Sequence, residues 1–280
     1  MVRHSACLSF EIGFVPSPAD PCLYILDARK VLIVVYVDDI MLSGSDEEYV
    51  LTIIKQFRER FDTVDLGDAK FLLGLGIQRN VNAGTILLQD AYAKAVLDKF
   101  GMADKHPAKT PAKAGPIFIE EEEILSPDEI KFFRSATGSL LYFSRCTRPD
   151  ITHSVMVLTR RMSKPRPRAM SKLKRVLRYL KGAASIGSTY SEDVEDGDKL
   201  TAHVDSDVLN FAGGPVGWRF TKKTVVAIST VEAEHVAMSK ACAKILHFGT
   251  CWNRLMRSRS RQPSCSRITL VQCHLVGALK

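Results

Sequence analysis

The chain has 280 residues, enough for two modest domains with their own cores, and its 46% hydrophobic and 25% charged residues match an ordinary globular protein. No apolar run approaches the roughly 20 residues of a membrane-spanning helix. The start, MVRHSACLSF, lacks a secretory pattern, and seven scattered cysteines without a C-x-x-C pair argue against a disulfide framework or zinc site. An intracellular chain with reduced thiols and no membrane partner is therefore expected. The net charge of +8 is unevenly spread: Arg145 to Lys181 holds twelve Lys or Arg against one acid, Asp150, a net of +11, leaving −3 elsewhere. Such a block fits either a polyanion-binding face or a solvated helical surface.

In chain order, Lys30 to Tyr36 and Ile40 to Leu42 are apolar runs suited to buried strands, joined through Val37-Asp38-Asp39. Ser45 and Glu48 have the spacing of a capping box, and Val50, Ile54, Phe57 and Phe61 then fall on one helical face. Two further extended runs, FLLGLGIQRN and GTILLQ, break at Asn82-Ala83-Gly84, and Ala91 to Phe100 predicts a short helix stopped by Gly101. The stretch HPAKTPAKAGPIFIEEEEILSPDE reads as a linker. Ser126, Pro127 and Glu129 open the next helix, which presents Phe132, Phe133, Ala136 and Leu140. Arg148-Pro149-Asp150 resets the chain before a helix over Ile151 to Met162. Ala169 to Lys181 predicts another, with Leu173, Val176, Leu177 and Leu180 as its apolar stripe and Lys174, Arg178 and Lys181 on the opposite side. A strand over Leu200 to Val204 follows.

The sharpest chemical signal is Tyr36-Val37-Asp38-Asp39. Adjacent carboxylates at a hairpin tip repel each other unless a divalent cation shares the site, and two-metal nucleotidyl transfer needs such carboxylates. Aspartates are also ordinary turn residues, which is the structural alternative.

The series GFVPSPADPCLYI, VVYVDDIMLSGS, FDTVDLGDAKFLLGLGIQR and TILLQDAYAKAVLDKFGMADKHPAKTP resembles copia-type retrotransposon reverse transcriptases. FRSATGSLLYFSRCTRPDI, RVLRYLKG, HVDSD and VAISTVEAEHVAMSKA resemble the connection and ribonuclease H region of the same Pol polyproteins. The resemblance covers nearly the whole chain. It implies an α+β protein with a partial palm and thumb-like part over 1–115, an acidic linker and basic helical connection over 116–199, and a truncated ribonuclease H-like mixed sheet over 200–280. Asp38 and Asp39 then match the catalytic, Mg2+-binding pair of the palm, and Asp205 and Glu234 match metal-binding carboxylates of the nuclease. Ser229 and Glu232 read as caps of the helix bearing Glu234, Asp207 as structural and His235 as an ordinary helix histidine. Arg160, Arg161, Lys174, Arg178 and Lys181 are the candidate contacts to RNA, DNA or an RNA–DNA hybrid.

Three departures from the family bear on activity. Met1 to Lys30 leaves no room for the fingers or for the palm strand bearing a further aspartate, so the missing N-terminal part of the polyprotein is a candidate partner. Asn210 to Gly214 follows Asp207 almost at once where the family has a longer insert. Over Val271 to Lys280, His274 and Leu275 stand where the family has aspartate and asparagine. The expectation is a fragment inactive by itself that retains at most nucleic-acid binding. The alternative is a polymerase half complemented by a separate chain.

Overall fold

The computed structural model describes residues 13–17, 20–26, 31–37, 39–44, 46–80, 84–113, 123–191, 201–203, 208–211, 214–218, 239, 242–243 and 267–273. It is mixed helix and antiparallel sheet, in agreement with the α+β class expected from the sequence. Two compact units divide it: Met1–Leu72 with Leu246–Lys280, and Leu73–Ile245.

In the first unit, β1 (Val15–Pro16), β2 (Leu23–Leu26), β3 (Val31–Tyr36) and β4 (Asp39–Gly44) pair antiparallel in that order. Alternation along β3 and β4 buries Val31, Ile33, Val35, Ile40 and Leu42, as the period of two requires. Helix α1 (Glu47–Arg60) follows and buries Val50, Ile53, Ile54 and Phe57 in the same core. The N-cap is Asp46, one residue later than the Ser45 box predicts. Its carboxylate accepts from the Tyr49 amide at 3.0 Å and brings negative charge to the positive end of the helix. Gly44 lets α1 approach closely, because a Cβ there would lie 2.8 Å from a Val50 methyl.

Next comes β5 (Thr63–Asp68), then a two-residue strand β6 (Phe71–Leu72). The last strand of the sheet is far off in sequence: β13 (Arg267–Cys273) lies between β4 and β5, antiparallel to both. By sequence this segment groups with the strand at residue 200. The structure instead pairs it with β4 and β5, which run parallel to each other on either side of it.

The second unit begins with β7 (Leu75–Asn80) and β8 (Gly84–Leu88), an antiparallel hairpin extended by β9 (Ser188–Tyr190). The run FLLGLG is interrupted where Leu73 and Gly74 adopt φ of +52° and +75°. Helix α2 (Asp90–Lys99) ends before Gly101, whose φ of +63° suits glycine. Helices α3 (Pro127–Cys146), α4 (Pro149–Thr159) and α5 (Pro167–Gly182) form one core with α2. The expected capping box is present: Ser126 Oγ accepts from the Glu129 amide, and the Glu129 carboxylate accepts from the Ser126 amide. These bonds hold the Glu129 carboxyl below the usual range. The predicted stripe of α5 is fully buried.

Three short strands, β10 (Thr201–His203), β11 (Val208–Phe211) and β12 (Gly214–Trp218), pair antiparallel. They are tied to the helices and to β9: the Trp218 indole N–H donates to the Ser144 carbonyl, and Tyr190 Oη donates to the Pro215 carbonyl at 2.8 Å. Among the described residues, no helix is long and apolar enough to cross a membrane.

Candidate functional site

The β3–β4 hairpin places the first candidate site. Tyr36 pairs with Asp39, so two positions separate the paired ends of the hairpin. Such loops need positive φ at their first central position, and Val37 adopts φ +53°. A β-branched residue there is strained, at about 1–2 kcal/mol, and its side chain, 62% exposed, makes little compensating contact. Strain of this kind marks sites where geometry is held by the surroundings. Val37→Gly is therefore expected to raise stability by up to about 1 kcal/mol in a denaturant titration. A fall would show that the positive φ carries no strain.

Asp39 opens β4 with a half-buried side chain. Its carboxylate is a hard oxygen donor of the kind Mg2+ prefers. Asp38, Asp205 and Glu234 lie outside the described residues, as do Ser45, Asp207, Ser229, Glu232, His235, His274 and Leu275.

The basic block is fully described. Arg145 is in the last turn of α3, Arg160 caps α4, and Arg161 follows it; Lys174, Arg178 and Lys181 lie on α5. Lys174 is exposed, close enough to Glu129 to help hold that carboxyl low, and Arg178 and Lys181 are half-buried. Arg178 also holds a distant segment in place. Its Nε donates to the His106 carbonyl at 2.6 Å, and its own carbonyl accepts from the Ala108 amide. Arg175 donates to Thr110 Oγ1 at 2.8 Å. The segment 106–110, the start of the stretch read from sequence as linker, is thus strapped along α5. It brings exposed Lys105 and Lys109 into the same neighbourhood, a contribution that sequence reasoning missed because the strap pairs with residues about 70 positions later.

The structure also reveals an anchor that the sequence shows only as a chain reset. Arg148 is 2% exposed. Its guanidinium forks onto both Asp150 oxygens at 2.9 and 2.8 Å, donates to the Ala183 carbonyl at 2.7 Å, and lies over the Tyr179 ring. Tyr179 Oη donates to Asp150 at 2.9 Å. Burial pushes the Asp150 carboxyl up, but the Arg148 hydrogen bonds and charge, with Tyr179, outweigh it and leave the group below its usual range. Beside this network, Thr147 Oγ1 donates to Gln89 Oε1 and Ser188 Oγ to the Thr147 carbonyl, which joins α3 to β8 and β9. Burial pushes the Cys146 thiol up, against a hydrogen bond with Tyr142 that lowers it.

A family described as reverse transcriptase (RNA-dependent DNA polymerase) matches residues 4–114. The retrovirus-related Pol polyprotein from transposon TNT 1-94 of Nicotiana tabacum is 29% identical over 81% of this chain, and that from transposon RE1 of Arabidopsis thaliana is 28% identical over 95%. The chain spans 19% of the length of each. An uncharacterised mitochondrial protein of Arabidopsis thaliana is 30% identical over 83% of this chain and 97% of its own length. No solved structure matches. With the strand-turn-strand around Asp39 inside the matched segment, and with a relative covered almost end to end, the chain belongs to the reverse transcriptase family of copia-type retrotransposon Pol polyproteins.

Proposed function

We propose that this chain is a fragment of a reverse transcriptase–ribonuclease H that binds nucleic acid without sequence preference and does not polymerise by itself. In this reading β2 to β5 with α1 are the closing part of a palm, β7, β8 and α2 a thumb-like part, and α3 to α5 the connection. The strands β10 to β12 begin a ribonuclease H-like sheet. The observation that carries the proposal is α5: one side is buried in the helical core, while six Lys or Arg and no acid occupy the rest of the helix. Duplexes containing RNA are gripped through phosphates and 2′-hydroxyls, which suits cations held on a rigid helix.

Asp38 and Asp39 would hold Mg2+, which supplies activation of the attacking hydroxyl and stabilisation of the leaving oxygen when bound. The hairpin offers two carboxylates, and a two-metal clamp needs at least one more from elsewhere. The purified 280-residue chain is accordingly expected to bind a labelled RNA–DNA hybrid, with affinity falling steeply as salt rises, and to show no primer extension with Mg2+ or Mn2+. Template-dependent extension lost in Asp38→Asn would overturn the inactive reading. The well-formed hairpin favours a second reading, in which a separate chain carrying fingers and a further aspartate completes the polymerase. Extension that appears only when such a chain is added would establish it.

Hybrid cleavage by the nuclease part is a separate expectation. Asp205 and Glu234 supply two carboxylates, whereas His274 offers an imidazole, a poor ligand for hard Mg2+. No cleavage of a labelled hybrid is expected. Robust cleavage abolished by Glu234→Gln would show that the nuclease site is complete.

A further inference from the structure

Serine or threonine followed by proline occurs three times in the chain, at Ser17, Thr110 and Ser126. The three hydroxyls differ in what holds them. Ser17 is 5% exposed, and the Ser126 hydroxyl is engaged in the capping box of α3. Thr110 is exposed, on a stretch without helix or strand that runs along α5. It alone has a basic residue three positions on: Lys113, where Ser17 and Ser126 have Asp20 and Glu129. Proline-directed protein kinases read that combination of a hydroxyl, a following proline and a cation at the third position.

The receiving side is Arg175 of α5. Its Nη2 donates to Thr110 Oγ1 at 2.8 Å, and Thr110 Oγ1 donates to the Ala112 carbonyl at 2.9 Å. Arg175 Nε is buried and, among the described residues, has no hydrogen-bond partner. Nε and Nη2 share one edge of a guanidinium, the edge with which Arg148 forks onto both oxygens of Asp150. Arg175 therefore meets a single hydroxyl oxygen with a fork built for two acceptors, and one prong is empty. A phosphate brings three acceptor oxygens and about two negative charges, enough to fill both prongs. The exposed Ala112 carbonyl loses its donor in exchange and takes water instead.

We propose that Thr110 is a phosphorylation site for a proline-directed kinase, and that its phosphate closes the Arg175 fork and locks the strap onto α5. In the transfer the Thr110 oxygen attacks the γ-phosphorus of ATP, and the bond from that phosphorus to the β–γ bridging oxygen breaks. ADP leaves, and the hydroxyl proton passes to the catalytic aspartate of the kinase. The dianion then sits in the same short segment as exposed Lys105, Lys109 and Lys113 and offsets part of their charge. Phosphorylation thereby weakens nucleic-acid binding, a consequence that rests on the function proposed above.

The full-length chain is incubated with ATP and a kinase of the cyclin-dependent class, and phosphate is located by mass spectrometry of its fragments. One phosphate on Thr110 is expected, with Ser17 and Ser126 untouched and none incorporated into Thr110→Val. Phosphate on Ser17 or Ser126 with Thr110 untouched, or none at all, overturns the site. Hydrogen exchange tests the clamp. Phosphorylation is expected to slow exchange about tenfold at the Ala108 amide, which donates to the Arg178 carbonyl, and the slowing is expected to vanish in Arg175→Gln. The change is read within each protein, so any loosening by the substitution itself cancels. Slowing of the same size in both proteins, or none in the parent chain, overturns the clamp. A labelled RNA–DNA hybrid, titrated before and after phosphorylation, is expected to bind the phosphorylated chain at least about threefold more weakly. Equal binding by both forms overturns the switch. Binding by neither form overturns the nucleic-acid reading instead, while the exchange result still decides the clamp.

Discussion

Replacing Arg148 by alanine is expected to destabilise the second unit by about 3–5 kcal/mol, because removing one partner of a buried, hydrogen-bonded ion pair strands the other. Three acceptors lose the arginine at once: both oxygens of Asp150, one of which keeps the Tyr179 hydroxyl, and the Ala183 carbonyl that closes the end of α5. The Tyr179 ring loses the cation over its face as well. For a unit of this size the loss corresponds to a fall in melting temperature on the order of 10 °C. A change below about 1 kcal/mol, the scale of a surface ion pair, would show that the network is not buried in solution.

The same network predicts acid behaviour. The Asp150 carboxyl is depressed in the folded chain, so its contribution is present above the ordinary carboxylate pKa of about 4 and disappears as pH falls through the lower folded value. Asp150→Asn should accordingly be less stable near neutrality and show a flatter acid limb than the unmodified chain.

The second large effect concerns binding. Arg160, Arg161, Lys174 and Lys181 changed together to glutamate should weaken hybrid binding by on the order of a hundredfold at about 0.1 M salt, and should flatten the salt dependence by about 0.9 for each phosphate contact removed. Arg178 is left out on structural grounds: its guanidinium holds the His106 carbonyl, so Arg178→Ala would loosen the strap and confound charge with structure. That single change serves as a control, with protease sensitivity between 105 and 113 as its readout. Unchanged affinity in the fourfold variant would identify the block as a solvated surface.

What the sequence makes legible here is local. The stripe of α5, the alternation of β3 and β4 and the Ser126–Glu129 box each rest on residues within a few positions of one another, and each has the expected form. Where the first helix begins is one residue off, since Ser45 and Asp46 are both good caps and local spacing does not choose between them. The features that escape the sequence depend on distant partners. Arg148 reads as punctuation because its third acceptor is the Ala183 carbonyl, 35 residues on. The strap over 106–110 reads as linker because its bonds go to Arg175 and Arg178. Val271 to Cys273 reads as a strand of the C-terminal region, whereas hydrogen-bonding capacity left open by β4 and β5 draws it into the first sheet. For the candidate sites, Asp39 is placed at a strained turn and the basic residues on three helices, and neither the strain nor the divided duties of the arginines follow from spacing.

The position of β13 also has a consequence in time. On the ribosome, β4, α1 and β5 emerge about 200 residues ahead of the strand that separates them, and at about 5–20 residues per second that interval lasts on the order of 10–40 seconds. Throughout it, two facing strand edges are available to any neighbouring nascent chain, and open edges are templates for association. The yield of native protein should therefore depend on how densely ribosomes load the message and on the temperature of synthesis, even for variants whose finished folds are equally stable.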